Sequence, residues 1–179
     1  MVKRSVYILI LTLVLLCSCN RVVEKNTDLT KKYQNASGFD ACISITAEDT
    51  KYSFLFERRG NEYCKAEFIT PEALKGLVIE TNGSEKIIKY KNLNIPSQFL
   101  PSEIGIGMDT VSQMLMSLEK AVGELPVKNK NETQITLAGE LYGVNAELKF
   151  DISTLMPLTA ELMLNSQKIS VSITQFKFV

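Results

Sequence analysis

Histidine and tryptophan are both absent from this chain of 179 residues. The first absence removes His-dependent catalytic triads, imidazole metal sites and imidazole acid–base chemistry together. The second leaves any cation–π or sugar-stacking platform to Tyr and Phe. Neither charge dominates, with Lys+Arg 20 against Asp+Glu 20, so there is no electrostatic reason to bind nucleic acid or anionic lipid. Asp40, Glu57, Glu67 and Glu147 are scattered along polar strand faces, with no spacing that pairs two carboxylates for glycoside hydrolysis or gathers them around a metal. No nucleophile–base pair can be assembled without rarer Ser-Lys or carboxylate arrangements. The chain is therefore expected to be no enzyme and to hold no cofactor and no metal.

No apolar run reaches the roughly 20 residues that a membrane-spanning helix needs. The longest, Val6 to Leu16, follows basic Lys3 and Arg4 and ends in Leu16-Cys17-Ser18-Cys19. A basic start, a short apolar middle and a small-residue end are those of a secretory signal peptide. Cysteine straight after Leu-x-Ser resembles the bacterial lipobox, in which that cysteine becomes the lipidated first residue. Cys19 fits, with small Ser18 before it and Leu16 three positions back; Cys17 does not, because bulky Leu16 would sit where a small residue is required. The expected plan is a signal peptide over 1–18, the lipidated Cys19 and a polar tether over 19–37, and one domain over 38–179. The tether has room for a single helical turn near Asp28–Tyr33. Export would place the domain outside the cytoplasm, held to the membrane by its lipid.

From Gly38 onward apolar residues alternate with period two. Ala41, Ile43 and Ile45 share one face, and a turn at Glu48-Asp49 sets Tyr52, Phe54 and Phe56 opposite them. Arg59-Gly60-Asn61 turns the chain again and Cys64, Ala66 and Phe68 return on that face. Leu77/Ile79 and Lys86–Lys91 follow, separated by Asn82-Gly83. After an irregular stretch with Gly105 and Gly107, Asp109 reads as the N-cap of a helix with Val111, Met114, Leu115, Leu118 and Val122 as its apolar stripe, stopped by Gly123 and Pro126. Val127–Thr133 reads as a charged loop. Alternation resumes through Ile135/Leu137, Val144–Phe150, Leu158–Leu164 and Ile169/Val171/Ile173, then shifts parity to Phe176 and Phe178, as a β-bulge near Thr174–Gln175 would produce. Cys42 and Cys64 fall on opposite faces of strands with another strand between, which excludes the roughly 4.4–6.8 Å Cα separation of a disulfide.

The reading is an α+β domain: about nine antiparallel strands and one inserted helix. A flat sheet of that width, roughly 40 Å, cannot be covered by a helix about 10–12 Å across. The sheet must curl strongly around the helix, leaving apolar surface that fills a core, lines a cavity or meets a partner. Phe54, Phe56, Phe68, Leu137, Leu148 and Leu162 share that face and are the candidate lining for a hydrophobic ligand.

The order of elements resembles the LolA/LolB-like lipoprotein-carrier superfamily, with Pro71, Lys75 and Gly76 before the fourth strand and Asp151, Pro157 and Leu158 before the eighth matching its short motifs. The resemblance covers Gly38 to Val179. It implies a half-open, strongly curved antiparallel sheet plugged by helices, whose concave face holds acyl chains or other hydrophobic groups. Members also include clostridial spore-germination lipoproteins, which act by binding a protein partner. A lipid anchor makes a freely diffusing shuttle a poor fit. Two functions stay open: a tethered module binding a lipid or acyl chain in the concave face, and a tethered protein-interaction or regulatory module with a filled core and an envelope-protein partner. Among further features, Arg58-Arg59 reads as a solvated hairpin tip, with an anionic headgroup as the alternative. Leu100, Ile104 and Ile106 are either core or a lid, and Met108, Met114, Met116 and Met163 either helix core or an adaptable apolar surface.

Overall fold

The computed structural model describes residues 27–47, 50–91, 93–96, 102–164 and 166–179. The strands are β1 (Gly38–Ala47), β2 (Thr50–Arg59), β3 (Tyr63–Thr70), β4 (Leu77–Asn82), β5 (Glu85–Tyr90) and β6 (Leu93–Asn94), then β7 (Val127–Lys130), β8 (Gln134–Leu141), β9 (Val144–Asp151), β10 (Pro157–Leu164) and β11 (Gln167–Phe178). The helices are α1 (Thr27–Gln34), α2 (Ser102–Met116) and α3 (Leu118–Glu124), with a single 3-10 turn at Glu72–Leu74.

All strands belong to one antiparallel 11-stranded sheet in the order β6-β5-β4-β3-β2-β1-β11-β10-β9-β8-β7. The chain starts at the centre, meanders out to β6, crosses through α2 and α3 to the opposite edge, and meanders back until β11 pairs with β1. The two edges do not pair, so the sheet is open. At about 4.8 Å per strand a flat version would be roughly 50 Å wide. Yet residues from Ile88 on β5 to Ile135 on β8 are buried in one core with the helices, so the sheet must coil around them as a half-barrel.

Period-two patterning sets the register. Ala41 lies opposite Phe56, Ile43 opposite Phe54 and Ile45 opposite Tyr52; a slip of one residue would turn that whole set to water. The bulge expected in the last strand is present. Between the pairs Asp40↔Lys177 and Cys42↔Thr174, two residues of β11 oppose one of β1, and Gln175 takes a φ of 52°. The extra residue moves Phe176 onto the core face, where it is buried. The Glu48-Asp49 turn lies outside the described residues.

Three expectations need correction. The sheet has eleven strands, not nine: β6 is a two-residue edge, and the stretch read as a charged loop contains β7, whose Lys128 and Lys130 blunt the other edge. The single helix is two, since α2 starts at Ser102 and runs through Gly105, Gly107 and Asp109, breaks at Ser117 (φ −103°, ψ 15°), and continues as α3. Asp109 is no cap; it is exposed and pairs with Lys86 Nζ at 2.5 Å. The apolar stripe survives the break, with Val111, Met114, Leu115, Leu118 and Val122 all buried. Third, the packed part of the chain reaches back to Thr27, inside the stretch read as a tether. Leu29 and Tyr33 of α1 are fully buried.

Helix α1 is held by the β9–β10 connection. Asp151 Oδ1 accepts hydrogen bonds from the backbone and hydroxyl of both Ser153 and Thr154. That turn presents the Thr154 carbonyl to Lys32 Nζ at 2.5 Å and the Leu155 carbonyl to the Tyr33 hydroxyl at 3.3 Å. The Ser153 and Thr154 donors hold the Asp151 carboxyl down at about 2. A carboxyl depressed on folding contributes stability above its unfolded range, lost as pH falls from about 4 toward the folded value. Asp151→Asn should therefore be less stable than wild type at neutral pH and lose less on acidification, as urea unfolding at a series of pH values would show. Parallel curves for the two proteins would refute this role.

At the start of β1, Gly38 is required by close approach. A Cβ there would lie 2.2 Å from the Arg58 carbonyl oxygen, which is backbone and cannot give way.

Candidate functional site

The sheet brings all six candidate ligand-lining residues to its concave face. Phe54, Phe56 and Phe68 come from β2 and β3; Leu137, Leu148 and Leu162 from β8, β9 and β10. Each is 0–1 % exposed. Phe54 packs on Phe68 with ring centroids 5.7 Å apart, and Phe56 on Phe39, which stacks on Phe176 at 4.7 Å. On the other half, Leu148 sits across from Leu137 and Ala160. Met108, Val111, Met114, Leu115, Leu118, Ala121 and Val122 of the two inserted helices belong to the same buried cluster.

Among the described residues the space found at this face is small. A cavity of about 20 Å³ lies between α2 and the β8–β10 strands, bordered by Thr110, Gln113, Met114, Val144, Ala146 and Leu162 among others. A water needs at least about 10–15 Å³ by this measure, whereas ligand pockets run to roughly 300–1,000 Å³. Of the six candidates only Leu162 borders it. The face is thus shared as the alternation predicts, and among the described residues its side chains pack into one cluster.

Met108 and Met114 are buried in the helix core, and Met163 is exposed on β10. Leu100 and the side chains of Ile104 and Ile106 lie outside the described residues, as does Cys19. Among the described residues no group of three or more His, Cys, Asp or Glu is placed to hold a metal, and no helix is long and apolar enough to cross a membrane.

Both cysteines of the domain are free. Cys64 is buried, and burial pushes its thiol up, away from the reactive thiolate; Cys42 is half-buried on the other face. In the folded domain a thiol reagent should modify Cys42 well before Cys64, and denaturation without reductant should release both. An internal bridge seen by mass spectrometry would contradict the register.

The solvated hairpin tip expected at Arg58-Arg59 is half right. Arg59 is exposed and ion-paired, its Nη1 2.6 Å from Asp40 and its Nη2 3.8 Å from Glu57. Arg58 instead points to the concave side, one step beyond Phe54 and Phe56 in the alternation, and is 2 % exposed. Its Nε donates to the Gly60 carbonyl and its Nη2 to Asn61 Oδ1. Parity could have revealed this inward arginine; the charged residue type hid it.

No family model matches the chain and no curated protein matches its sequence. Among solved structures it is similar to an uncharacterized conserved protein from Thermus thermophilus, at 13% identity over 85% of this chain and 84% of that one, with TM-score 0.54. It is similar also to a LolA superfamily protein from Nitrosomonas europaea, at 12% identity over 87% and 94% of the two chains, TM-score 0.40. A third is LprF from Mycobacterium bovis, at 8% identity over 85% and 94%, TM-score 0.43. At 13% identity the likeness to the Thermus protein is one of fold alone. The architecture is an open, coiled antiparallel sheet with helices against its concave face.

Proposed function

We propose that this protein is a bacterial extracytoplasmic lipoprotein, tethered through a lipidated Cys19, whose half-barrel serves as a filled protein-interaction module and not as a lipid carrier. What supports this choice over the acyl-binding alternative is the concave face, where Phe54, Phe56, Phe68, Leu137, Leu148 and Leu162 are all buried and the cavity found among the described residues holds only about 20 Å³. The role is binding, with no catalytic step. Residues 20–26 between the anchor and α1 span at most about 25 Å, so the partner is an envelope protein met close to the membrane surface.

Two experiments test the parts. Wild-type protein should enter the detergent phase in a phase-separation assay and Cys19→Ala should stay in the aqueous phase; partition of the variant into detergent would remove the anchor assignment. Native mass spectrometry of the domain, cut from its tether after mild extraction, should give the polypeptide alone or with a protein partner. A stoichiometric acyl adduct on the domain would transfer the reading to the lipid-binding alternative.

A further inference from the structure

Arg58 and Arg59 are adjacent, yet the chain neutralises them in the opposite order to the one that stability favours. Exposed Arg59 has Asp40 at 2.6 Å and Glu57 at 3.8 Å. Buried Arg58, where an unpaired charge costs far more, has a single ion-pair contact among the described residues: Glu119 Oε2 at 3.9 Å, on a side chain 39% exposed. Among the described residues its side-chain hydrogen bonds go to neutral oxygens of Gly60 and Asn61. They fix the β2–β3 turn and use one edge of the guanidinium. Burial lowers its pKa and Glu119 only partly opposes this.

Arg58 also borders an open groove of about 510 Å³, walled by Gln34, Asn61, Ser117, Glu119, Lys120 and Tyr142. Tyr142 is held at a φ of 52°, a backbone region that bulky residues rarely occupy. Its hydroxyl bonds Ser117 Oγ at 3.1 Å and Lys120 Nζ lies 4.4 Å from its ring centroid.

We propose that this groove is a binding site for an organic monocarboxylate, held by the Arg58 guanidinium with Lys120 as a second cation and the Tyr142 ring against the ligand's apolar body. Glu119 marks where the ligand carboxylate goes: a protein carboxylate already approaches the guanidinium there, too distant to close a hydrogen bond and exposed enough to swing aside. Glu119 and Glu124 on the same wall disfavour a dianion such as phosphate. The site is independent of what the concave face holds.

The test is nitrogen-15 NMR of the full mature chain carrying Cys19→Ala, titrated with benzoate, with its neutral isostere benzamide, and with inorganic phosphate. Benzoate should saturably shift the Arg58 Nε signal and the Asn61 and Ser117 amides, and benzamide and phosphate should not. Glu119→Gln removes a tethered competitor from an exposed position that folding does not depend on, and should tighten benzoate roughly two- to fivefold, the worth of an exposed ion pair. Arg58→Gln should abolish the response if it folds; Glu119→Gln decides the matter if it does not. No saturable shift with benzoate in wild type and Glu119→Gln, an equal response to benzamide, or a response to phosphate alone would each overturn the proposal.

Discussion

Leu148→Asn should cost about 4–6 kcal/mol and lower the melting temperature by roughly 10–20 °C. Two terms add. Truncating a buried leucine loses packing worth about 2–5 kcal/mol, and the new amide, with no partner in an apolar interior, costs a further 1–3 kcal/mol or so. Leu148 is fully buried between Leu137 and Ala160 on the neighbouring strands, with Ala146 and Phe150 beside it on the same face of β9. Each kcal/mol is worth about 2–4 °C in a domain of this size. A marginal domain holds only about 5–15 kcal/mol in total, so part of the variant could be unfolded at growth temperature. Circular dichroism melts check this. A loss under about 1 kcal/mol would mean that the amide finds water, and that the concave face is roomier than its packing indicates.

Tyr33→Ala should be nearly as damaging, at about 3–5 kcal/mol, the range for removing a buried aromatic. The Tyr33 ring lies edge-on to Phe150 at 5.7 Å and to Phe178 at 5.2 Å, with Phe176 at 6.4 Å. One side chain thus joins α1 to β9 and to the C-terminal strand. Tyr33→Phe keeps the ring and loses only the bond to the Leu155 carbonyl, so about 1 kcal/mol is expected. Lys31→Ala on the exposed side should change little. Urea unfolding of the three variants separates a core helix from a tether. A Tyr33→Ala midpoint close to wild type would return residues 27–37 to the role of linker.

What the sequence made legible follows the strength of each periodic signal. Strands β1 to β4 and β8 to β11 show apolar alternation because one face of each meets the core, whereas β5, with only Ile88 buried, is marked by the Asn82-Gly83 turn before it. Even the bulge at Gln175 shows, as a change of parity. The helical stripe from Val111 to Val122 is equally plain, since its spacing is continuous across the break at Ser117. The start of α2 was hidden by Gly105 and Gly107, which read as loop because glycine is a poor helix former. Strand β7 carries Val-Lys-Asn-Lys, an edge sequence with no buried side chain to alternate. Helix α1 offered only Leu29 and Tyr33 one turn apart in a polar stretch. A helix of eight residues is not stable by itself; its stability comes from aromatic contacts with residues more than a hundred positions away.

The candidate site divides in the same way. Pattern alone assigned the six concave residues to one face, because period two fixes which way each side chain points. It could not say whether that face was covered, since coverage depends on where α2 and α3 lie in space. Arg58 shows the limit from the other direction, a residue whose charge argued for water and whose parity argued for the interior.

The filled concave face is the central claim, and a fluorescent fatty-acid titration of the folded mature chain carrying Cys19→Ala tests it most directly. The packing predicts no saturable rise in fluorescence and no change in melting temperature at excess probe, because a ligand that bound the native state would raise it. Saturable one-to-one binding, weakened by Leu148→Asn under conditions where that variant remains folded, would contradict it.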